Sequence, residues 1–242
     1  MALAYAKRGD RVVISARRRD ALEALRQQCP RPESVEIVTL DQNDLVGAAA
    51  SARAALTVWG GLDVIVLNGG ISQRSLAIET AVDVDQRLIT VNYLANVAMI
   101  KAVLPQLVAQ PDARIAVVSS LVGRIASPYR SGYAGSKHAL HGFFDSLRAE
   151  LPTHVSVTMI CPGFVKTDVS VNALTGDGSA LGQLDHAQAN GLAAEVFASR
   201  AISAIDSRRR EVYIAGREGW AIPLQRFLPG VFARVIRMAK VR

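Results

Sequence analysis

Cysteines and aromatic residues are scarce in this chain, and each shortage excludes a class of protein. The 242 residues include two cysteines, Cys29 and Cys161, which are too few for the disulfide framework of a small secreted domain and favour a reducing compartment. Aromatic residues make up 5% of the sequence, so we do not expect the rows of stacking side chains that bind single-stranded nucleic acid. The four histidines are not spaced as metal ligands, and we predict no metal site.

Long hydrophobic runs and a targeting sequence are also lacking. No segment reaches the roughly 18 uninterrupted apolar residues that a membrane-spanning helix requires. Lys7, Arg8, Asp10 and Arg11 interrupt the apolar residues at the N-terminus, which is not the layout of a signal peptide. The sequence therefore predicts a cytoplasmic protein.

Hydrophobic residues, by contrast, make up 50% of the chain and charged residues 20%, which favours a folded globular protein over a disordered one. The length is ample for one domain with a substantial core. The formal charge of +7 permits an acidic partner such as a nucleotide cofactor. No recognition motif accompanies the arginines, and we therefore predict no nucleic-acid partner.

Short apolar runs rich in β-branched residues alternate with longer stretches of helical periodicity. The predicted strands lie at 11–15, 35–40, 64–67, 115–119, 155–160 and 211–215. The predicted helices lie at 19–28, 45–59, 83–107, 132–150 and 193–205. Several strands are apolar throughout, as expected for parallel strands covered on both faces. The alternation predicts one α/β domain over residues 1–242, with a Rossmann-like, doubly wound parallel sheet.

The first residues have the pattern of a helix end rather than of a first strand. Residues 1–8 predict the last turns of a helix, Gly9 is its stop signal, and a strand follows. This order indicates that a preceding strand and its glycine-rich, phosphate-binding loop are missing from the sequence. The sequence Gly176-Asp177-Gly178 is no substitute, because it follows no strand and begins no helix, and we predict a flexible loop there.

Tyr133 and Lys137 are candidates for acid–base chemistry. They are four residues apart in a helical pattern and therefore project from one face of the helix. A phenol has an ordinary pKa near ~10, and a neighbouring ammonium group lowers that pKa by favouring the phenolate. Tyr133 is then able to donate a proton to a carbonyl oxygen or to accept one from an alcohol. Taken alone, the pair has a simpler interpretation, a solvated lysine beside a packed tyrosine.

Further polar residues and glycines follow three of the predicted strands, at the ends where ligands bind in open α/β sheets. They are Ser120, the pair Asn68 and Gly70, and the group Pro162, Gly163 and Thr167. Asn92 lies in the helical pattern after the strand at 64–67. Each of these residues also has a local explanation as a turn residue, a helix cap or a satisfied polar group, so none indicates a function alone.

The order and spacing of these residues resemble the short-chain dehydrogenase/reductase family over nearly the whole chain. The matching segments are LNGG at 67–70, VNYL at 91–94, VVSSLVG at 117–123, YAGSK at 133–137 and CPGFVKTD at 161–168. The resemblance implies that Tyr133 is the general acid–base and that Lys137 lowers its pKa and holds the cofactor ribose. It also implies that Ser120 polarises the substrate carbonyl and that Asn92 helps to hold a water-linked proton relay from Lys137 to solvent.

The same resemblance, together with the charges after the first strand, indicates the cofactor. The implied cofactor-binding residues are Arg17, Arg18, Asp41, Asn68, Gly70, Tyr133, Lys137, Pro162, Gly163 and Thr167. Ala16 stands where members of the family that prefer NAD carry an aspartate for the ribose 2′-hydroxyl, and Arg17 next to it suits a 2′-phosphate. We therefore expect NADP(H) rather than NAD(H), while a solvated helix start is the other explanation for these arginines.

Two departures from the family pattern bear on activity. Leu67 occupies a position where many members have asparagine, which is a minor change. The first strand and the TGxxxGxG loop are absent, which removes the pyrophosphate site and leaves the edges of two neighbouring strands unpaired. Two functions therefore remain open: an NADP(H)-dependent oxidoreductase that interconverts a carbonyl and a secondary alcohol, and a non-catalytic, scaffold-like protein that does not bind the cofactor.

Two segments outside these motifs carry predictions of their own. Residues 169–194 resemble the substrate lid of the family, and their valines and leucines favour an apolar small-molecule substrate. Residues 223–242 mix apolar and basic residues in the pattern of an amphipathic helix, which Pro229 starts or breaks. We expect this extension to cover the substrate cleft or the subunit interface of a homo-oligomer, and the alternative is peripheral contact with an anionic membrane.

Overall fold

Strands and helices alternate along the chain in the computed structural model, which describes residues 1–238. The strands are β1 (Val12–Ile14), β2 (Val35–Ile37), β3 (Val64–Leu67), β4 (Ala113–Val118), β5 (Val155–Pro162) and β6 (Glu211–Ile214). The helices are α1 (Ala2–Arg8), α2 (Arg19–Gln27), α3 (Leu45–Val58), α4 (Val82–Ile89), α5 (Ala95–Ala109), α6 (Ser131–Glu150), α7 (His186–Ala189), α8 (Ala194–Asp206), α9 (Ala221–Phe227) and α10 (Pro229–Met238). The predicted α/β alternation is confirmed, and every predicted strand and helix is present close to its predicted bounds.

All strand pairs are parallel, as predicted, but the strands form two sheets rather than one. β1 pairs with β2, and the second sheet has the order β3-β4-β5-β6. The interruption agrees with the prediction that a missing first strand leaves two neighbouring strands with unpaired edges. Among residues 1–238, no strand pairs with the second edge of β1 or with the second edge of β3.

A cavity of about 1080 Å³ separates the two sheets. Its walls include every residue of β1 and every residue of β3. Backbone N–H and C=O groups on these two strand edges therefore lie beside the cavity instead of beside a neighbouring strand. The arrangement agrees with the expectation that a strand which normally lies between β1 and β3 is absent from the sequence.

Helices α1 and α8 connect the two sheets. Gly9 ends α1 with a φ of 99°, a left-handed conformation that glycine adopts without strain, and this confirms its predicted role as a stop signal. Arg8 in α1 donates to Asp206 in α8 at 2.7 Å, and Arg114 in β4 donates to the same carboxylate at 3.2 Å. These side chains are partly exposed, so each pair contributes no more than about 1 kcal/mol. Met1 adds apolar packing against the core beneath β4 and β5.

The main core lies between the larger sheet and helices α3, α5 and α6. Its buried residues on α5, β4, α6 and β5 are Met99, Ile100, Val103, Leu107, Ala113, Ile115, Val117, Leu140, Phe144, Leu147, Val155, Val157 and Met159. Burial of one such side chain is worth about 1.5 to 3 kcal/mol in area removed from water. Because α6 contributes to this core, the core fixes the position of the polar residues that α6 carries near its first turn.

Helices α4 and α5 are joined by a π-helical turn at Thr90–Leu94 into one continuous helical segment, Val82–Ala109. Among the described residues, it is the one segment long and apolar enough to span a membrane by length and composition, with a mean hydropathy of 1.4. Polar residues interrupt this segment, so it contains no uninterrupted apolar run long enough to span a membrane, and the sequence did not predict it as a membrane span. In the fold 44% of its apolar window is buried, and the buried apolar residues of α5 form part of the main core.

Residues 169–194, the predicted lid, are irregular apart from the short helix α7. The segment is fixed to the loop that follows β3. Leu174 N donates to Ser72 O and Arg74 N donates to Leu174 O, both at 2.8 Å. Asp185 forms a buried ion pair with Arg74, with 2.6 Å between Oδ2 and Nη2. Turns occupy the sequence from Gly176 to Gly178, in agreement with the predicted loop.

Helices α9 and α10 form the described part of the predicted C-terminal extension, and residues 239–242 lie outside the described residues. Pro229 is the first residue of α10, which is one of the two roles predicted for it. Phe232 is the buried residue of α10. The exposed apolar side chains in and beside these helices are Trp220, Phe227, Leu228, Val231, Val235 and Met238. This surface of apolar residues is interspersed with Arg226, Arg234 and Arg237.

Candidate active site

The candidate site lies at the carboxyl ends of β3, β4 and β5, where ligands bind in open α/β sheets. Asn68 follows β3 directly, Ser120 lies two residues beyond β4, and Gly163 follows β5. These three strands are parallel neighbours, so their carboxyl ends share one edge of the sheet. Predicted site residues from three distant parts of the sequence are thereby brought to a single edge.

Lys137 reaches this edge from α6. Its Nζ donates to the backbone carbonyl of Val118, the last residue of β4, at 2.9 Å. Nζ also lies 5.9 Å from the centroid of the Tyr133 ring, so the predicted pair is close in space. Lys137 is 4% exposed, and this burial lowers its pKa to about 8, with Cys161 acting in the opposite direction. The fold therefore holds an ammonium group at the end of the sheet that has a hydrogen bond to Val118 but no ion-pair partner among the described residues.

The Tyr133 phenol is also perturbed, but in the other direction. Burial raises its pKa above the ordinary value, because a buried phenolate is poorly solvated. The Ser120 hydroxyl and the charges of Arg130 and Arg74 oppose that rise. The burial and the charges of Arg130 and Arg74 add to the sequence argument, and the lowering of this pKa by Lys137 remains a prediction.

Ser120 is a helix cap, one of the two roles that the sequence allowed, and it also lies beside Tyr133. As a cap it accepts a hydrogen bond from Val122 N at 3.3 Å, at the start of the short 3₁₀ turn Leu121–Gly123. Its hydroxyl also interacts with the Tyr133 side chain. An oxygen that accepts from a backbone N–H still has its own proton to donate. Ser120 is therefore able to donate to an oxygen held between it and Tyr133.

Asn92 lies in the π-helical turn between α4 and α5, an irregularity that often marks functional positions. The residue is fully buried, and its side chain makes three hydrogen bonds. Oδ1 accepts from Ile71 N at 2.8 Å, and Nδ2 donates to Ile71 O and to Ser136 Oγ, both at 2.9 Å. Its backbone carbonyl accepts from Asn96 Nδ2 at 2.7 Å. Asn92 thus joins the loop after β3 to helix α6.

Gly70 lies against the same group and leaves space beside it. A Cβ at Gly70 would lie 3.0 Å from Asn92 Oδ1 and 3.4 Å from Lys137 Nζ. A side chain there would occupy the volume next to the ammonium group, which a bound sugar hydroxyl would need. The structure thus places Gly70, Asn92 and Lys137 together, as the motifs implied.

The cavity between the two sheets collects a second group of predicted residues. Arg17, Asp41, Asn68 and Gly70 all line it. Asp41 accepts from Asn43 N at 2.9 Å and Asn43 Nδ2 at 2.8 Å, and these bonds, with the Arg17 charge, lower its pKa. Arg18, by contrast, is not among the lining residues: it is exposed and precedes the first residue of α2.

The segment after β5 is ordered by contacts that the sequence did not indicate. Gly163 N donates to Ile214 O at 3.0 Å, which continues the pairing of β5 with β6. A Cβ at Gly163 would meet Glu218 Oε1 at 2.1 Å, and that oxygen accepts from Phe164 N at 3.2 Å. Pro162 is the last residue of β5. These contacts place the Pro162–Gly163 turn at the same sheet edge as Ser120.

Thr167 is not brought to the centre of the site. It is exposed, and its hydroxyl donates to Val165 O at 3.3 Å and accepts from Gln188 Nε2 at 3.3 Å. Gln188 also donates to the carbonyl of Val165. The Thr167 hydroxyl therefore forms hydrogen bonds with other residues of the chain. Its contact with the cofactor remains a prediction.

His141 lies behind the site in a buried polar group with Ser119, Cys161 and Glu211. His141 Nε2 is 2.9 Å from Ser119 Oγ, and Cys161 Sγ donates to Glu211 Oε1 at 3.4 Å. His141, Cys161 and Glu211 are the described residues grouped closely enough to ligate a metal. Burial raises the pKa of the thiol, and the Glu211 carboxylate accepts from Arg124 at 2.9 and 3.0 Å. The absence of a metal site remains a prediction.

Two residues that fix the site were missed at the sequence level. Ser136 Oγ accepts from Asn92 and donates to Tyr133 O at 2.8 Å. Gln73 is buried, and its Oε1 accepts from Tyr133 N at 3.2 Å, in the first turn of α6. The partners are far apart in sequence, so no local pattern marks these bonds. Ser136 is the serine of the YAGSK segment, and its place inside that motif was the signal that could have identified it.

The described residues fit the two ends of a nicotinamide dinucleotide better than its middle. Lys137 supplies a buried ammonium donor, and Gly70 leaves the space beside it, which suits the hydroxyls of the nicotinamide ribose. Arg17 and Asp41 line the far part of the cavity, which suits the adenosine end. For the pyrophosphate, residues 1–238 contain no glycine-rich loop that opens a helix.

Comparisons with known proteins agree with this arrangement. The family model described as short chain dehydrogenase matches residues 1–177. A "Dehydrogenase/reductase SDR family protein 7-like" of Anopheles gambiae is 41% identical over 214 residues, which are 86% of this chain and 68% of that protein. "Dehydrogenase/reductase SDR family member 7B" of Bos taurus is 37% identical over 237 residues, covering 94% of this chain and 73% of that protein.

A solved structure shows the same fold. The crystal structure of a short-chain dehydrogenase from Streptomyces avermitilis superposes with a TM-score of 0.79 at 25% identity, covering 99% of this chain and 90% of that chain. The family match extends over well more than half of this chain, and the relatives exceed the identity at which membership is secure. The chain belongs to the short-chain dehydrogenase/reductase family.

Proposed function

We propose that this member of an oxidoreductase family uses NADP(H) to interconvert a carbonyl and a secondary alcohol on a small molecule with an apolar body. The observation that carries the proposal is the grouping of Lys137, Tyr133, Ser120 and Asn92 at one sheet edge, with Lys137 buried and unpaired by any described carboxylate. A buried ammonium group without a counter-ion is unfavourable for folding, so its presence favours a functional reason.

The chemistry needs one hydride and one proton. When bound, a nicotinamide cofactor would supply the hydride to the carbonyl carbon and would be oxidised by that transfer. Ser120 donates a hydrogen bond to the carbonyl oxygen, and Tyr133 transfers its phenolic proton to that oxygen, which gives the alcohol. Lys137 binds the ribose and favours the phenolate that remains until a proton from solvent restores the phenol. The reverse sequence oxidises the alcohol.

Asn92 acts in this proposal as a positioning residue. Its side chain holds Ile71 on one side and Ser136 on the other, so it fixes α6 relative to the loop that carries Gly70. The family resemblance implies a water-linked proton relay from Lys137 to solvent, and Asn92 would help to hold it. Asn92→Ala should therefore lower kcat more than it raises KM, and it should shift the pH profile of kcat, which a purely structural role would not do.

The preference for NADP(H) rests on Arg17. It lines the cavity together with Asp41, at the end that suits adenosine. A 2′-phosphate there would pair with the guanidinium, while an unmodified ribose would not. Arg17→Ala should weaken NADPH binding by about tenfold or more and leave NADH binding nearly unchanged. Arg19→Ala is the matched control, because Arg19 belongs to the same arginine run but pairs with Glu23 on α2. Equal effects of both variants would contradict the preference.

The first experiment is a fluorescence titration of this chain with NADPH, followed by assay of NADPH oxidation with a panel of ketones. Binding and ketone-dependent oxidation are expected for the wild-type chain. Tyr133→Phe should bind NADPH equally well and lose about 100-fold or more of the turnover, since it retains the ring and lacks the transferable proton. A chain that binds no NADPH would favour the non-catalytic, scaffold-like function, which the unpaired edges of β1 and β3 support.

Residues 169–194 are proposed as the substrate lid. What supports this is their irregular structure and their attachment to the loop after β3 by the Arg74–Asp185 pair. Apolar residues of the segment that are not buried, such as Val171, Leu181 and Leu184, favour an apolar body on the substrate. Limited proteolysis of this segment should slow when cofactor and ketone are added together, and unchanged cleavage would contradict a lid.

The surface of α9 and α10 is proposed as an association surface. The exposed apolar side chains at Phe227, Val231, Val235 and Met238 support this proposal, because isolated folds rarely leave such a group in water. A homo-oligomer interface is the first expectation, and contact with an anionic membrane is the second. Sedimentation of wild type and Phe227→Glu tests the first. Flotation with phosphatidylserine vesicles tests the second, and a monomeric chain that does not float would contradict both.

A further inference from the structure

Arg130 is a buried cation with two unsatisfied hydrogen-bond donors in its side chain. It precedes the first residue of α6 and lies three positions before Tyr133. The residue is 7% exposed. Its Nε and Nη2 are both buried, and neither has a hydrogen-bond partner among the described residues. Its Cζ lies 5.6 Å from the centroid of the Phe164 ring, a contact that attracts the cation but accepts no hydrogen bond from these nitrogens.

The neighbouring Arg74 is also buried, but its guanidinium group has hydrogen-bond partners and an ion pair. Arg74 is 5% exposed, and it donates to Asp185 Oδ2 from two nitrogens, at 2.8 and 2.6 Å. It also donates to Ser72 Oγ and Gln73 O, both at 2.7 Å. The carboxylate of Asp185 is thus taken by Arg74. Two guanidinium groups and one carboxylate are buried here, and Arg130 is the one left without a salt bridge among the described residues.

Leaving a charge in this state is unfavourable. Taking an arginine out of water without pairing it costs several kcal/mol, and proteins usually avoid it. Burial and the charge of Arg74 accordingly lower the pKa of Arg130 to about 10. A methionine at this position would pack against Phe164 without that loss. The arginine therefore has a reason other than stability.

Its location indicates that reason. The charge of Arg130 is close enough to the Tyr133 phenol to lower the pKa of that phenol. On its other side is Phe164, which directly follows Gly163 in the segment that resembles a cofactor-binding motif. Arg130 therefore neighbours both the proposed acid–base and the proposed cofactor segment, so a substrate that reacts at Tyr133 would be held close to its guanidinium group.

The free donors also have a defined geometry. Nε and one Nη of a guanidinium lie on the same edge of a planar group and donate two parallel hydrogen bonds. This edge matches the two oxygens of a carboxylate or of a phosphate monoester. A neutral ketone offers one acceptor and would leave the second donor unpaired.

We propose that Arg130 binds an anionic oxygen group of the substrate, so that the carbonyl compound reduced at Tyr133 is an oxoacid or a phosphorylated ketone with an apolar body. This inference rests on the proposed function, because it names the substrate class of the same site. The hydride and proton transfers are unchanged by it. The anionic group takes no part in the reaction and serves only to hold the carbonyl in place.

The test compares pairs of substrates that share the same ketone and differ in whether they carry an anionic group. Levulinate and methyl levulinate form the carboxylate pair, and hydroxyacetone phosphate and hydroxyacetone form the phosphate pair. With NADPH, we expect kcat/KM of the wild-type chain to favour the charged member of at least one pair by about tenfold or more. The pair that shows the preference identifies which anionic group the site takes.

Arg130→Met should reduce that preference to about one, and Arg130→Lys should restore part of it, since lysine keeps the charge but not the two parallel donors. Arg200→Met, which removes an exposed arginine of α8, is the matched control and should leave the preference intact. A readout independent of turnover is thermal stability: Arg130→Met should melt at a higher temperature than wild type, and levulinate should raise the melting temperature of wild type more than that of the variant.

The outcomes separate this inference from the proposed function. If neither the charged nor the neutral compounds are reduced, the proposed function fails. If methyl levulinate and hydroxyacetone are reduced as well as their charged counterparts, and Arg130→Met changes neither ratio, the substrate class is wrong while the oxidoreductase function stands. A lower melting temperature of Arg130→Met would also contradict the inference, because it would mean that Arg130 stabilises the fold.

Discussion

Lys137 carries a charge that folding removes from water, so its replacement should stabilise the protein. The ammonium group is 4% exposed, and its pKa falls from 10.5 to about 8. One pKa unit corresponds to about 1.4 kcal/mol, so the desolvation amounts to about 3 kcal/mol at neutral pH. Lys137→Met removes this penalty with a side chain of similar length.

The variant also loses a favourable contact. The hydrogen bond from Nζ to Val118 O contributes about 1 kcal/mol. The expected net gain in the free energy of unfolding is therefore about 2 kcal/mol near neutral pH. Urea denaturation of Lys137→Met and wild type measures it. Lys101→Met, which replaces an exposed lysine on α5, is the control and should change stability by less than about 0.5 kcal/mol.

The sign of the pH dependence gives a second check. The folded-state pKa of Lys137 lies below its unfolded value, so the unfolded state binds more protons between about pH 8 and 10.5. Wild-type stability gains from this group as pH rises through that window. The advantage of Lys137→Met should accordingly fall to about zero near pH 10. A variant that is less stable than wild type at neutral pH, or whose advantage does not fall at high pH, would refute the reasoning.

Three further predictions concern neighbouring residues. Gly70→Ala places a Cβ 3.0 Å from Asn92 Oδ1 and should weaken NADPH binding several-fold in a fluorescence titration, with little change in melting temperature. Arg74→Met leaves Asp185 buried without its partner and should cost about 3 kcal/mol or more in urea denaturation, and the double variant with Asp185→Leu should recover most of it. Burial lowers the pKa of His141 to about 4, so wild-type stability should decline as pH falls from about 6.5 to 4, and His141→Gln should remove part of that decline.

The parts of the fold that the sequence predicted are those with a local signal. Strands such as β4 and β5 are buried on both faces, so their apolar runs are visible without any knowledge of their partners. Gly9 marked the end of α1 because only a glycine accepts the left-handed turn there easily. The interrupted sheet followed from the same reasoning, since a helix end before β1 left no strand to place between β1 and β3.

The parts of the site that could not be predicted depend on contacts between distant residues. Arg130 and Arg74 look alike in sequence, and only the fold shows that Asp185 pairs with one of them. The same holds for Tyr133, whose pKa is raised by burial and lowered by the charges of those two arginines, none of which the spacing along the helix indicates. Spacing along α6 predicted correctly which residues meet, but it gave no account of which charges act on them.

The most direct test of the central claim follows the hydride. NADPH that carries deuterium at the transferred position of the nicotinamide is incubated with this chain and a ketone from the panel, and the alcohol is examined by mass spectrometry. The account predicts that the alcohol made by the wild-type chain carries one deuterium on its carbinol carbon. With Tyr133→Phe, the formation of this labelled alcohol should be almost abolished. Unlabelled alcohol, or label that the Tyr133→Phe chain transfers at the wild-type rate, would contradict it.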